Sequence, residues 1–407
     1  MDRKTKVLTI NWSGEEGSIV KIIRDIEENS GDGYEYYHAY QIGEKSNSHN
    51  YLVACWNLTR FYYMLARITG LKYGVGTLAT RKLLHYIDRL NPDIIHIHCP
   101  NFYSINLYIL FEHLKKKEYK VIITNHAEFF YTGNCAHAVE CTGYLSGCHK
   151  CTRVFDKKRK YLVNRTNYEW TKMKKAFAGA KNFHMTVVSP WQYKRIKSSP
   201  ITEDLPVTII ENAVNTKTFR PLPQVDYSLK EKHHMGEKKI VLNVTSGFSD
   251  DIDDLKGGYY LIQVAKMLPQ YNFVVAGNLN VSSKEKLSEN IICLGNIKNQ
   301  EELAQWYNLA DLTVLTSKRE TYGMACAESL ACGTPVVGFE AGGTESIALE
   351  KYSEFCEYGD ETKLAQLITN WVNKKKDERL NLVEEAYHRY SADRMATEYL
   401  ALYEEIT

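Results

Sequence analysis

Short β-branched runs alternate with longer amphipathic segments along this chain, and the alternation comes in two blocks. The first block predicts strands over Lys6–Ile10, Asp93–His98, Lys120–Asn125, Thr186–Ser189 and Val207–Glu211. Helical spacing falls at Ser18–Glu28, Leu107–Lys117 and Lys157–Ala178. After Asn212-Ala213-Val214-Asn215-Thr216 regularity is lost as far as Gly236. It then restarts with strands over Lys239–Val244, Asn272–Ala276, Ile291–Leu294, Leu312–Leu315 and Pro335–Gly338, and helices over Gly257–Met267, Gln300–Leu309 and Thr362–Lys375. Near-continuous apolar strands separated by helices form parallel sheets covered on both faces. The expectation is an α/β protein of two Rossmann-like domains, 1–216 and 217–390, with a cleft between them. A final helix, Ala392–Glu405 within 391–407, carries Tyr399, Leu400 and Leu402 on its apolar side and is expected to cross back to the first domain. In open α/β sheets, ligands sit beyond the carboxyl ends of the strands.

Length agrees with that division, since 407 residues exceed one ordinary domain. The 51 Lys and Arg against 49 Asp and Glu leave a net charge of +2, which argues against nucleic acid as a partner. No run of eighteen apolar residues predicts a membrane-spanning helix. Met1 to Val7 leads straight into a strand rather than a signal peptide, so the chain reads as cytoplasmic.

The segment Ser317-Lys-Arg-Glu-Thr-Tyr-Gly-Met-Ala-Cys-Ala-Glu328 carries the most chemistry. It follows an apolar strand and opens a helix that Gly333 stops. Glu320 falls at the strand's carboxyl end and Glu328 more than one turn into the helix. Between them the helix start presents free backbone N–H groups around Gly323, Met324 and Ala325, which with the helix dipole suit a diphosphate. Carboxylates are pure acceptors and suit the hydroxyls of a sugar or ribose. One short loop thus has the parts to hold a nucleotide sugar.

Glu320-x7-Glu328 with Tyr322-Gly323 inside it, Ala310-Asp311 before it, and Gly333-Thr334-Pro335-Val336-Val337 and Gly342-Gly343 after it resembles the signature of family 4 glycosyltransferases. The resemblance runs over nearly the whole chain. It implies the GT-B fold, a nucleotide-sugar donor (UDP by family frequency), retention of anomeric configuration and no metal or other cofactor for catalysis. It implies that Glu328 holds the ribose hydroxyls and that Glu320 faces the donor sugar. The amides of Tyr322 to Ala325 would meet sugar and diphosphate. Lys256, in Lys256-Gly257-Gly258, would offset charge on the leaving diphosphate. The family also has an arginine a few residues earlier, where this chain reads Val244-Thr245-Ser246-Gly247-Phe248 followed by Asp250, Asp251, Asp253 and Asp254. His126, in Thr124-Asn125-His126-Ala127-Glu128, is implied as an orienter of the donor sugar, with His96, His98 and Glu128 as strand-end structure or further site residues. Gly14, in the turn Asn11–Ser18, would let donor and acceptor approach. Ser246, Asn278 and Ile297 are strand-end positions assigned to the donor. A nucleotide-sugar epimerase, or a GT-B scaffold that binds without turnover, are the rival readings.

Cys135-x5-Cys141-x6-Cys148-x2-Cys151 places four cysteines in an insertion at about 131–155. That spacing in a reducing compartment reads as a structural zinc site, with free thiols or disulfides as the alternative. Similar insertions occur in a branch of the family that builds bacterial surface polysaccharides. The acceptor implied is a saccharide or lipid-linked saccharide. Lys115-Lys116-Lys117 and Lys157-Lys158-Arg159-Lys160 are candidates for peripheral contact with the inner face of the cell membrane, or are solvated helix faces.

Overall fold

The computed structural model describes residues 3–15, 17–43, 46–100, 103–149, 151, 161–282, 287–374 and 379–407. Two compact units emerge, one of 1–210 with 395–407 and the other of 211–394. The first unit holds strands β1 (Thr5–Ser13), β2 (Tyr34–Ile42), β3 (Asn50–Leu52), β4 (Ile94–Ile97), β5 (Lys120–Asn125), β6 (Phe183–Val187) and β7 (Val207–Ile209). They form one parallel sheet in the order β3-β2-β1-β4-β5-β6-β7. The second holds β8 (Ile240–Phe248), β9 (Asn272–Leu279), β10 (Ile291–Gly295), β11 (Leu312–Leu315), β12 (Val336–Phe339) and β13 (Ser353–Cys356). Its order is β10-β9-β8-β11-β12-β13, again all parallel.

Central strands are buried over most of their length. Ile94, Ile95 and Ile97 of β4 and Val121, Ile122 and Ile123 of β5 have no exposed surface, as expected of a sheet covered on both faces. Helices begin where side chains satisfy the first amides. Asn106 caps Leu107–Lys116, and Ser189 caps Pro190–Ser198 with proline at the first turn. Asn299 caps Gln300–Leu309, and Asp360 caps Glu361–Val372.

Several expectations are corrected. The helix expected over Lys157–Ala178 spans Thr166–Phe177. Ahead of it, Leu162 N donates to Arg67 O and the Asn164 side chain accepts from Thr166 N, so the chain is tied to its neighbours instead of to a helical ladder. The basic cluster 157–160 lies outside the described residues. On the last helix, Ala392–Ile406, the buried face is Met395, Ala396, Tyr399, Leu402 and Tyr403, and Leu400 is only half-buried. Tyr399 and Tyr403 hydroxyls sit 3.0 Å from Thr124 Oγ1 and 2.7 Å from His96 Nδ1.

Glu169, on the helix Thr166–Phe177, is wholly buried. Its carboxylate accepts from Tyr73 N at 2.8 Å and from the Asn134 amide. Desolvation raises its pKa from the ordinary 4.5 to about 7, against the pull of those hydrogen bonds and of Lys72. The folded chain therefore holds this proton more tightly than the unfolded chain does. Stability should fall as pH rises from about 4.5 to 7, by about 1.4 kcal/mol per unit, and level off above. Thermal unfolding of the natural chain and of Glu169→Gln across that range checks this. Parallel curves would remove Glu169 from the account.

Candidate functional site

Strand order reverses in the second unit between β8 and β11. The crevice beyond such a switch point is the usual ligand position in an open α/β sheet. Loops leaving these two strands carry Lys256 and Glu320, and Lys256 Nζ donates to Glu320 Oε1 at 2.7 Å. Their side chains are 32% and 25% exposed, so the pair is open to an incoming anion or sugar.

Both residues stand on fixed backbone. Lys256 N donates to Asp254 Oδ1 at 2.9 Å, and its carbonyl accepts from Thr316 Oγ1 at 3.0 Å. Gly257 follows with φ of 67°, and a Cβ there would lie 2.0 Å from Thr316 O, so no other residue fits. Glu320 N donates to Ala341 O at 3.0 Å and its carbonyl accepts from Gly343 N at 2.9 Å. A Cβ on Gly343 would meet Thr321 backbone at 2.3 Å, which explains the double glycine as close backbone packing. The Glu345 carboxylate folds back to accept from Gly342 N at 2.7 Å and Ala341 N at 2.9 Å. The acidic run before Lys256 is largely spent on local turns. Asp250 accepts from Ser282, Asp251 from Asp253 N and Asp254 from Lys256 N.

Gly323, with φ of 94°, begins the helix Met324–Ala331, and no side chain caps it. The first amides of that helix thus lie beside Glu320 in sequence with their dipole unscreened by a cap. Tyr322 contributes differently from its neighbours. Its ring is buried and its hydroxyl donates to Asn212 O at 2.7 Å, so the backbone amide is the part left for a ligand. Half-buried Glu328 accepts from Tyr307 OH at 3.0 Å. Burial pushes the Tyr307 hydroxyl far above its ordinary pKa, so it stays a donor that orients this carboxylate. Tyr307 was absent from the sequence reading. Its only signal is its place on the helix Gln300–Leu309, before the strand that leads to Glu320.

Ser246 and Asn278 are exposed, and Asn278 Nδ2 donates to Ser246 O at 3.2 Å where β8 and β9 pair beyond a bulge. Ile297 is half-buried on the loop after β10. The contacts described do not join these three to the Lys256–Glu320 pair.

In the first unit, Gly14 ends β1 and lines a small cavity with Asn11, Ser13, Arg24 and Glu27. A Cβ on it would fall 2.5 Å from the Tyr40 ring. His126 follows β5, with Nε2 3.1 Å from His98 Nδ1 and the two rings stacked. Burial lowers the pKa of His96, His98 and His126 well below the ordinary value, so all three are neutral near pH 7. A neutral His126 suits hydrogen bonding more than charge stabilisation. Glu128 is fully buried and accepts from Arg195 Nε at 2.9 Å and Nη2 at 2.7 Å, with Ala138 N on its other oxygen.

Cys135 and Cys148 are buried, Cys141 and Cys151 half-buried, and all four are free thiols. Among the described residues no three or more His, Cys, Asp or Glu side chains come together as metal ligands. The four therefore do not fit the tetrahedral zinc site that their spacing suggested. Cys148 Sγ instead lies 3.7 Å from Thr132 O, and Cys148 O accepts from Thr166 Oγ1.

Comparison with known proteins gives these features a setting. Residues 230–389 match the family model "Glycosyl transferases group 1". A probable sucrose-phosphate synthase of Thermosipho melanesiensis is 30% identical over 213 residues, 49% of this chain and 47% of that one. The alpha-monoglucosyldiacylglycerol synthase of Acholeplasma laidlawii is 24% identical over 64% of this chain and 62% of its own. The chain thus spans about half the length of the first of these relatives. The structure of Anabaena Alr3699/HepE in complex with UDP superposes with a TM-score of 0.66 at 15% identity, covering 98% of this chain and 100% of that one. The fold is GT-B, with two parallel-sheet α/β domains.

Proposed function

We propose that this chain is a retaining glycosyltransferase that moves a sugar from a nucleotide sugar, a UDP-sugar in our reading, to a saccharide or lipid-linked saccharide. The observation that carries this is the Lys256–Glu320 pair at the switch point, followed in sequence by an uncapped helix start and by Glu328. The matched family model covers these residues. UDP in one structural neighbour and a glycolipid product in the name of one relative support the donor and acceptor classes.

In this reading the diphosphate rests on the amides of Gly323 to Ala325, and Glu328 accepts from the ribose hydroxyls. Glu320 takes hydroxyls of the donor sugar. Lys256 meets the negative charge that grows as the bond between the anomeric carbon and the phosphate oxygen breaks. The acceptor oxygen bonds to that carbon on the same face, and its proton passes to the departing phosphate oxygen. No protein nucleophile is required. Water is kept from the donor until the acceptor arrives.

Thermal shift against UDP, GDP, ADP and dTDP with their common sugars tests the donor. A ligand at 100 times its Kd adds about 2.7 kcal/mol of stability, a visible shift. Glu328→Ala removes a charged acceptor worth about 1.5–3 kcal/mol, so UDP affinity should fall roughly tenfold to a hundredfold. No shift with any nucleotide sinks the reading. A UDP shift without sugar transfer or donor hydrolysis would leave a binding scaffold.

A further inference from the structure

The helix Trp56–Thr69 in the first unit turns apolar side chains outward. Its inner face is Thr59, Tyr62 and Ala66. On its outer side Trp56 is 56% exposed, Phe61 57%, Met64 60% and Ile68 54%. Phe61, Met64 and Ile68 are spaced three and four apart and so form one ridge. The patch continues onto the next segment of the fold. Leu162 N donates to Arg67 O at 2.9 Å, and Leu162 is itself 70% exposed. Apolar surface of this kind, contiguous and rimmed by charge, marks an interaction site.

Charge on the page selects the partner. Residues 46–87 carry Arg60, Arg67, Lys72, Arg81 and Lys82 and not one Asp or Glu, in a chain whose two signs are otherwise nearly equal. Arg60 and Arg67 lie on the helix between the Phe61–Met64–Ile68 ridge and the side of Trp56 and Tyr63, with the Arg67 guanidinium 5.7 Å from the Tyr63 ring centre. Aromatic and aliphatic side chains interleaved with arginines, with no acid among them, match the interface of an anionic bilayer. Apolar groups enter the acyl boundary, and long cationic side chains reach the headgroups. Among the described residues no helix is long and apolar enough to cross a membrane.

We propose that the helix Trp56–Thr69, extended by Leu162, lies flat on an anionic lipid surface and holds the enzyme where a lipid-linked acceptor is presented. The location differs from the lysine clusters that sequence alone suggested. It extends the reading of a lipid-linked acceptor, yet the two can fail separately, because vesicle binding needs neither donor nor turnover.

The test is co-sedimentation of the full chain with vesicles of phosphatidylcholine alone and with 30–40% phosphatidylglycerol (roughly, the anionic content at which a basic patch binds well). Binding is expected on the anionic vesicles only, weakened by salt. Phe61→Ser/Met64→Ser and Arg60→Glu/Arg67→Glu should each lower the partition coefficient at least about tenfold while leaving the UDP-induced thermal shift unchanged. Because Arg60, Phe61 and Met64 face outward and Arg67 is half-buried, these variants are expected to fold, and the thermal shift confirms it. Absence of binding, or binding unaltered in both variants, overturns the proposal. So does a concentration-dependent dimer that the same substitutions abolish, since the patch would then be a contact between two copies of this chain.

Discussion

Lys256→Ala should lower kcat about 10²–10³-fold, the usual cost of removing one preorganised group that meets transition-state charge. Nothing comparable should happen to stability. The Lys256–Glu320 pair is 32% and 25% exposed, and partly solvated ion pairs are worth about 0–1 kcal/mol. The two quantities thus separate a catalytic role from a structural one. Glu320→Ala is expected to cost a similar factor, by loss of the carboxylate proposed to meet the sugar and by release of the lysine it holds at 2.7 Å. Since each residue positions the other, the double variant should be little worse than the more damaged single variant. Steady-state kinetics with UDP-sugar, measured beside thermal unfolding, checks all three. Unchanged kcat in both single variants would remove this pair from the chemistry. Full additivity would leave the two residues acting independently.

The same lysine bears on the arginine that the resemblance to family 4 glycosyltransferases led one to expect and that this chain lacks between Val244 and Phe248. Here that stretch is strand. β8 runs on to Phe248 and pairs beyond a bulge with Asn278 and Leu279. The acids that follow are committed to amides and hydroxyls of neighbouring turns, so less of their charge opposes a phosphate than the sequence suggests. Two cations precede Glu320 in sequence and are turned to other partners, Lys318 over the Tyr358 ring and Arg319 toward Ala341 O. Lys256 is the cation in contact with Glu320, which is why its removal is expected to cost so much.

What could be read ahead of the structure was local. Lys256, Glu320, Gly323 and Glu328 sit on short loops and one helix, where glycine spacing and strand ends suffice. β4 and β5 were legible because apolar β-branched residues dominate them, Ile94, Ile95 and Ile97 in one and Val121, Ile122 and Ile123 in the other. β2 was not, because Tyr34-Glu-Tyr-Tyr-His-Ala-Tyr-Gln-Ile mixes polar and aromatic residues, and it is parallel pairing with β1 and β3 that makes it a strand. Trp56–Thr69 escaped notice for an opposite reason. A helix that turns Phe61, Met64 and Ile68 outward does not show the apolar stripe by which surface helices are found. Long-range partners were invisible too. Tyr307 beside Glu328 is 21 residues away in sequence, and Tyr403 beside His96 is 307 away. The cysteine spacing left zinc and free thiols both open, because ligand geometry depends on how side chains point. Cys135 and Cys148 turn into the core of the first unit.

Arg195→Ala should destabilise the first unit by about 3–5 kcal/mol, the typical cost of leaving one member of a buried ion pair behind. Glu128 has no exposed surface, and both Nε and Nη2 of Arg195 donate to one of its oxygens. Its other oxygen takes Ala138 N, at the start of the cysteine-bearing segment, and its own amide donates to Ala136 O. With the guanidinium gone, a buried carboxylate would remain without its charged partner. Glu128→Gln on the Arg195→Ala background should recover part of the stability, since the neutral amide keeps an oxygen for Ala138 N without the charge. Chemical unfolding of the two variants beside the natural chain decides it. A loss in Arg195→Ala under about 1 kcal/mol would place the pair with ordinary surface bridges. A large loss that Glu128→Gln does not relieve would assign it to the packing of the Arg195 stem, whose guanidinium carbon lies 5.0 Å from the Trp191 ring centre and 5.3 Å from that of Tyr144.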